Sequence, residues 1–193
     1  AYSYGADDTS ARLTQMFSRL FEREVLVFPV ATGTAANALA LGHVTPPYGA
    51  IYCGEQAHVF VDECGAAGFY AGGAMIRTLA DVDGKITPEV FAKSLSDYGA
   101  HGDHEAQPAV LTVAQTTECG TLYQPNEISA LAKIADHHGM VLHMDGARFA
   151  NAVSALGCAP ADITWRVGVD VLSFGATKNG ALAAEAVIFF DPI

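Results

Sequence analysis

Apolar residues recur along the chain with two spacings, and their alternation predicts the architecture. Leu13, Met16, Phe17, Leu20 and Phe21 follow the i, i+3, i+4, i+7, i+8 spacing of an amphipathic helix, which Thr9 or Ser10 can cap. Short continuous apolar runs have the length and content of buried strands: 24–28, 50–53, 75–79, 109–114, 141–144, 169–174 and 186–190. Helical segments lie between them. An Ala-rich helix over 35–41 follows the turn Thr32-Gly33-Thr34. Thr87-Pro88-Glu89 pairs an N-cap with proline at the first helical position and opens a helix to about Ser96. Asn126 caps a helix that reaches His138 and stops at Gly139, and a further helix runs from Arg148 to Leu156 before Gly157. Asp83-Gly84 marks a turn, and 99–108 is a polar loop. Strands alternating with helices predict an α/β fold, a mainly parallel sheet with helices on both faces. Ligands bind such open sheets at the carboxyl ends of the strands, so the residues just after each strand are the candidates for chemistry.

Composition narrows the setting. Of 193 residues 51% are hydrophobic and only 16% charged, which suits one globular domain with a sizeable core. A mean hydropathy of +0.25 points to apolar surface covered by another subunit or by a further segment. No apolar run approaches the roughly 20 residues that cross a bilayer. The most apolar stretch, 181–190, is interrupted by Glu185, and the given residues read as containing no signal peptide. The chain opens on Ala1 and closes just after a strand, so it reads as an internal fragment of a longer polypeptide. A net charge of −11 argues against nucleic acid or an anionic membrane as partner. Cys53, Cys64, Cys119 and Cys158 form no C-x-x-C pair and read as reduced thiols of a cytoplasmic protein.

Few residues carry distinctive chemistry. Of four lysines, Lys93 and Lys133 fall on predicted amphipathic helices and Lys85 follows a turn, where a solvated surface explains each. Lys178 follows the 169–174 strand within Gly175-Ala176-Thr177-Lys178-Asn179-Gly180, among small residues that let a bulky ligand approach. In a dry pocket such a lysine becomes a nucleophile towards carbonyls; otherwise it is an ordinary loop lysine. Asp145 ends the 141–144 strand in His143-Met144-Asp145-Gly146-Ala147-Arg148. A buried carboxylate there needs a partner, either a protonated pyridinium nitrogen or Arg148 three residues on. Thr32-Gly33-Thr34 at a helix start offers free N–H groups and a hydroxyl to an anion, or is a plain helix cap. His58 can stack on an aromatic ring or handle a proton, or be a satisfied polar group. His101-Gly102-Asp103-His104-Glu105 has metal-ligand residue types but no helix to fix their spacing, so no metal is expected. An anion loop, an aspartate, an arginine and a lysine at one sheet edge are the set that one aromatic phosphate aldehyde would need.

At these residues the sequence resembles the threonine aldolase group of the pyridoxal 5'-phosphate (PLP) dependent beta-eliminating lyases, whose fold is aspartate-aminotransferase-like (fold type I). The matching stretches run in order along the chain: Tyr4-Gly5-Ala6-Asp7, Thr32 to Asn37, Ala57-His58 to Glu63, Thr116 to Thr121, His143 to Arg148 with Asn151-Ala152, and Phe174 to Gly180. The resemblance implies a PLP-binding large domain over 1–193, incomplete because an N-terminal segment and a small C-terminal domain are missing. It implies that Lys178 bonds covalently to the cofactor and that Asp145 pairs with the pyridine nitrogen. Gly33, Thr34 and Thr177 would contact the cofactor, Gly33 and Thr34 at its phosphate. Arg148 would contact the phenolic side of the ring or the substrate. His58 would stack on the ring and serve the hydroxyl proton, with Glu63 supporting the site beside the substrate.

The implied reaction is retro-aldol cleavage of a small β-hydroxy amino acid such as threonine or allo-threonine to glycine and an aldehyde, in a homo-oligomer (dimer or tetramer). A phenylserine aldolase, a PLP-dependent β-eliminating lyase and an inert α/β interaction module are the alternatives. The sequence departs from the family pattern in two places. Ala176 stands where many relatives have glycine, and Glu118 stands in a segment where some carry a histidine thought to touch the substrate hydroxyl. The arginine that grips the substrate carboxylate is expected in the missing segments.

Overall fold

The computed structural model describes residues 7–97 and 102–191. The Tyr4-Gly5-Ala6 stretch and His101, with the start of the polar loop around it, lie outside the described residues. The chain order is α1 (Asp8–Leu20), β1 (Leu26–Val30), α2 (Gly33–Val44), β2 (Gly49–Gly54), α3 (His58–Val61), α4 (Ala66–Tyr70), β3 (Met75–Leu79) and α5 (Pro88–Asp97). It continues with β4 (Gln107–Ala114), α6 (Pro125–His137), β5 (Val141–Gly146), α7 (Phe149–Leu156), β6 (Val171–Gly175) and β7 (Glu185–Phe189).

All seven strands form one sheet in the order β1-β7-β6-β5-β4-β2-β3. Strands β3, β2, β4, β5 and β6 are parallel, as expected where helical crossovers join them. Strand β7 runs against both neighbours, so β1 again points with the parallel set. One consequence governs the site. The carboxyl ends of β1, β2, β4, β5 and β6 share an edge with the beginning of β7, where Glu185 pairs in register with Val30 and Gly175.

Both faces of the sheet are covered, which is why the central strands are apolar at successive positions. Side chains Leu111, Val113, Leu142, Met144 and Leu172 point to a core closed by Phe21, Phe91, Leu131 and Phe149 from α5, α6, α7 and the end of α1. The alternate positions Ile51, Cys53 and Val110 meet Leu41, Val59, Ala67 and Ala71 of α2, α3 and α4. Val171, Val187 and Phe189 meet Ala36 and Ala40 of α2. The small residues of α2 let that helix lie close over the centre of the sheet, and its first turn therefore reaches the shared edge.

Several sequence expectations change in detail. The cap of α1 is Asp7, whose side chain accepts the N–H groups of Thr9 and Ser10; those two residues lie inside the first turn. Gln124, not Asn126, caps α6, with Glu127 accepting the Gln124 N–H in return and Pro125 at the first helical position. Strand β1 is an edge rather than a buried strand: it has a neighbour on one side only, and Leu26 and Phe28 stay 49% and 53% exposed. Lys85 is not a free surface lysine, because its Nζ bonds both carboxylate oxygens of Glu127 at 2.6 and 2.7 Å and lies over the Tyr123 ring. Helix α4 has no counterpart in the sequence reading; five residues are too few for an apolar period to show.

Phe149 joins the two halves of the main core, with its ring 5.9 Å from that of Phe21 and 6.2 Å from that of Phe174. Phe149→Ala should cost about 3–5 kcal/mol of folding stability. A urea titration followed by far-UV circular dichroism reads this as a lower midpoint with an unchanged slope.

Candidate active site

The shared edge holds a cavity of about 280 Å³, just under the roughly 300–1,000 Å³ usual for ligand pockets. Thr32, Gly33 and Thr34 line it from the β1–α2 turn, His58 and Glu63 from α3 and the residues after it, and Thr116 and Glu118 from the loop after β4. Asp145, Ala147 and Arg148 line it from the end of β5, Ser173 from β6, Thr177 and Lys178 from the turn beyond β6, and Glu185 from the start of β7. Every site residue expected from the sequence therefore borders one cavity. None of them is left elsewhere on the fold.

Asp145 is the best-held of these groups. One oxygen accepts the Ala147 N–H at 2.9 Å and the other accepts Asn37 Nδ2 at 2.8 Å. It is half-buried rather than buried, and it forms no ion pair with Arg148, so the Asp–Arg alternative raised by the sequence is not what holds it. The Arg148 side chain is exposed at the start of α7 and free to meet a ligand.

The same Asn37 nitrogen also donates to Glu63 Oε1 at 2.9 Å, and Glu63 Oε1 lies 2.9 Å from His58 Nδ1. Glu63 is only 3% exposed, and burial raises its carboxyl pKa against the lowering effect of the bonds from Asn37 and His58. The His58 backbone N–H is fixed by Glu118 Oε1 at 2.8 Å. His58 begins α3 itself, with the three residues of a turn between it and the end of β2 at Gly54.

The anion cradle is the start of α2. Thr32 caps it through its hydroxyl, which accepts the Ala35 N–H at 3.1 Å, while its carbonyl takes the Ala36 N–H. The N–H groups of Gly33 and Thr34 have no carbonyl within the helix to bond, and both residues line the cavity. A side chain at position 33 would enter the cavity, meeting only Glu185 Oε2 at 3.8 Å. Glycine there keeps the space that a phosphate would occupy.

Lys178 sits in a single 3-10 turn, Thr177–Asn179, held by a bond from Asn179 to Asn151 of α7. The Thr177 hydroxyl accepts the Ala184 N–H at 3.2 Å. Gly175 is required just before this turn, because a Cβ there would stand 2.7 Å from Ala147 Cα and 2.8 Å from Glu185 Oε2. Ala176 has φ −111°, where alanine costs nothing, so this departure from the family pattern does not distort the turn. The dry surroundings expected for Lys178 are not met: its side chain is exposed, because the loop that follows has nothing over it and Leu182 is 98% exposed.

Beneath the cavity lies a buried polar layer that crosses three strands. Thr112 Oγ1 is 2.7 Å from His143 Nδ1, and His143 Nε2 is 2.9 Å from Ser173 Oγ. His143 has no solvent exposure, and burial pushes its pKa down to about 4 although the nearby Asp145 charge opposes the shift. Among the described residues no group of three or more His, Cys, Asp or Glu is arranged to hold a metal ion.

The donor set suits one planar ligand that carries an anionic tail, a basic ring nitrogen and a carbonyl. The chain belongs to the beta-eliminating lyase family, whose model matches residues 2–192. It is 44% identical over 193 residues to a low specificity L-threonine aldolase of Pseudomonas sp. (strain NCIMB 10558), covering 98% of this chain and 54% of that protein. A low specificity L-threonine aldolase of Pseudomonas aeruginosa is likewise 44% identical, over 191 residues and 54% of its length. Among solved structures, a threonine aldolase of Leishmania major superposes with a TM-score of 0.88 at 29% identity, over 97% of this chain and 54% of that one. The chain spans about half the length of the curated relatives it matches. The family is PLP-dependent, and the fold is that of the aspartate-aminotransferase-like enzymes.

Four polar cavity residues escaped the sequence reading. Asn37 and Thr116 stood only within matching stretches, Ser173 only within a strand, and Glu185 only as the charge that interrupts an apolar run. Glu185 was missed for a topological reason: a search just after each strand cannot find a residue at the beginning of an antiparallel one.

The buried His143 gives a signed expectation. The unfolded chain takes a proton on this histidine near pH 6.5, but the folded chain takes it only near pH 4. Its contribution is thus complete above pH 6.5 and is lost as pH falls towards 4, by on the order of 3 kcal/mol. Urea midpoints measured from pH 7 to pH 4 should fall less steeply in His143→Gln than in the wild type. Glu63, with its raised pKa, acts with the opposite sign in both proteins, and the comparison removes it.

Proposed function

We propose that this chain is the PLP-binding large domain of a low-specificity L-threonine aldolase, which cleaves L-threonine, L-allo-threonine and related β-hydroxy amino acids to glycine and an aldehyde. The observation that carries this reading is that Lys178, Asp145 and the unpaired N–H groups of Gly33 and Thr34 open onto one cavity. The kinship to low specificity L-threonine aldolases supports the choice of reaction.

The residues present fit PLP. The α2 start suits the phosphate, the Asp145 carboxylate suits a protonated ring nitrogen, and Lys178 supplies a primary amine for the aldehyde. When bound, PLP supplies an electron sink for the pair left at the substrate Cα as the Cα–Cβ bond breaks. Asp145, held by Ala147 and Asn37, keeps the proton on the ring nitrogen. Gly33 and Thr34 would hold the phosphate end, and Thr177 would contact the cofactor beside Lys178. Arg148 would meet the phenolic side of the ring or the substrate. His58, held by Glu63 at 2.9 Å, would stack on the ring and serve the proton of the β-hydroxyl, with Glu63 supporting the substrate side of the site.

The fold surface supports a homo-oligomer, dimer or tetramer. Phe60, Phe69 and Tyr70 of α3 and α4 are exposed together with Leu182 near the site, and a neighbouring subunit would cover such surface. Among the described residues no helix is long and apolar enough to cross a membrane. We place the enzyme in the cytoplasm, in keeping with its four free cysteines.

The test uses the full-length polypeptide. Lys178→Ala should remove the visible absorbance of bound cofactor and reduce acetaldehyde release from threonine to background. Steady turnover by this variant would contradict the assignment. Indole release from tryptophan in place of acetaldehyde from threonine would move the reaction to β-elimination.

A further inference from the structure

The bonds around Asn37 do more than hold Asp145. Asn37 is 2% exposed, and its one amide nitrogen serves two carboxylates, Asp145 Oδ2 at 2.8 Å and Glu63 Oε1 at 2.9 Å. The Asp145 carboxylate has only acceptors to offer, so the amide must present its nitrogen there and not its oxygen. With the amide turned that way, its second N–H reaches Glu63 Oε1. That oxygen already accepts a hydrogen bond from Asn37, and Glu63 Oε2 is buried with no hydrogen-bonding partner, where a proton would find no acceptor. Glu63 Oε1 therefore faces His58 as an acceptor, and the hydrogen between the two is carried by His58 Nδ1.

We propose that Asn37 is a positioning residue that carries the orientation of Asp145 through Glu63 to His58, fixing His58 as the Nδ1–H tautomer with the lone pair on Nε2. Donation converges on Glu63: Asn37 donates to both carboxylates, and His58 donates to the Glu63 oxygen that Asn37 holds. The backbone bond from His58 to Glu118 fixes the ring's anchor while Glu63 fixes its rotation. A neutral imidazole held in this form has its basic nitrogen available to the cavity that His58 lines. This deepens the proposed function and rests on it for its catalytic meaning; the tautomer itself belongs to the cofactor-free chain.

The experiment labels histidine with 15N in the cofactor-free full-length polypeptide and reads the His58 ring nitrogens by NMR, assigned with His58→Gln. The wild type should show a protonated Nδ1 and an unprotonated Nε2. Asn37→Ala and Asn37→Ser, checked for native circular dichroism, should shift His58 towards the Nε2–H form favoured by free imidazole. In the holoenzyme they should lower kcat about tenfold with KM within about twofold, a part of what a positioned base contributes. A wild-type His58 protonated on Nε2, or folded variants with an unchanged tautomer, would overturn the proposal. Should neither variant fold, the two side-chain amide hydrogens of Asn37 decide: both slow to exchange supports it, one exchanging freely overturns it. Uptake of PLP by the wild type is scored separately, so a protein that binds no PLP yet holds the Nδ1–H form defeats the proposed function and leaves this assignment standing.

Discussion

A carboxylate at the end of a central strand survives only if donors are aimed at it, and here two are. The Ala147 N–H comes from the chain immediately beyond β5, and the Asn37 amide comes from a helix on the opposite side of the cavity. The placement of Asp145 thus depends on α2 lying close over β5, β6 and β7, which its alanines permit. The same approach brings the first turn of α2, with its unpaired N–H groups, to the sheet edge. One packing arrangement sets both the acidic and the anion-binding ends of the cavity, and the direction of β7 adds Glu185 between them.

The charges around the cavity follow from this frame. Glu63, Glu118, Asp145 and Glu185 surround it, against Lys178 and Arg148. Such an arrangement is costly when the carboxylates approach one another dry, and burial accordingly raises the pKa of Glu63. The neutral His143 beneath them, bonded at both nitrogens by Thr112 and Ser173, adds no charge and ties β4, β5 and β6 together under Asp145. The open side is different in kind: Lys178 and Arg148 are exposed, and the loop carrying Leu182 stands free. A further segment or subunit seated over that side would exclude water from the lysine, which is the condition that its proposed chemistry requires.

Much of this was legible beforehand because local signals and tertiary demands agreed. The runs at 50–53, 109–114 and 141–144 are strands whose two faces are covered by helices, and an apolar run records that directly. Lys178, Asp145, Arg148 and the Gly33-Thr34 turn were sought just after strands, Glu63 and Thr177 were named through the family resemblance, and the sheet brings all of them with His58 to one cavity. What the pattern hid has equally physical causes. Edge and core strands share one apolar content, so the exposure of β1 followed only from its place in the sheet. Asn37 looks like any helix polar residue until α2 is docked against β5. Capping went astray by a few positions at α1 and α6, where several side chains of similar chemistry stand in a row.

The central claim is that Asp145 faces the ring nitrogen of a bound pyridine cofactor. It is tested most directly by 15N NMR of the full-length polypeptide loaded with PLP labelled at that nitrogen. The account predicts a protonated pyridinium in the wild type at neutral pH and above, lost in Asp145→Ala. An unprotonated ring nitrogen in the loaded wild type, or a protonated one unaffected by that substitution, would contradict it.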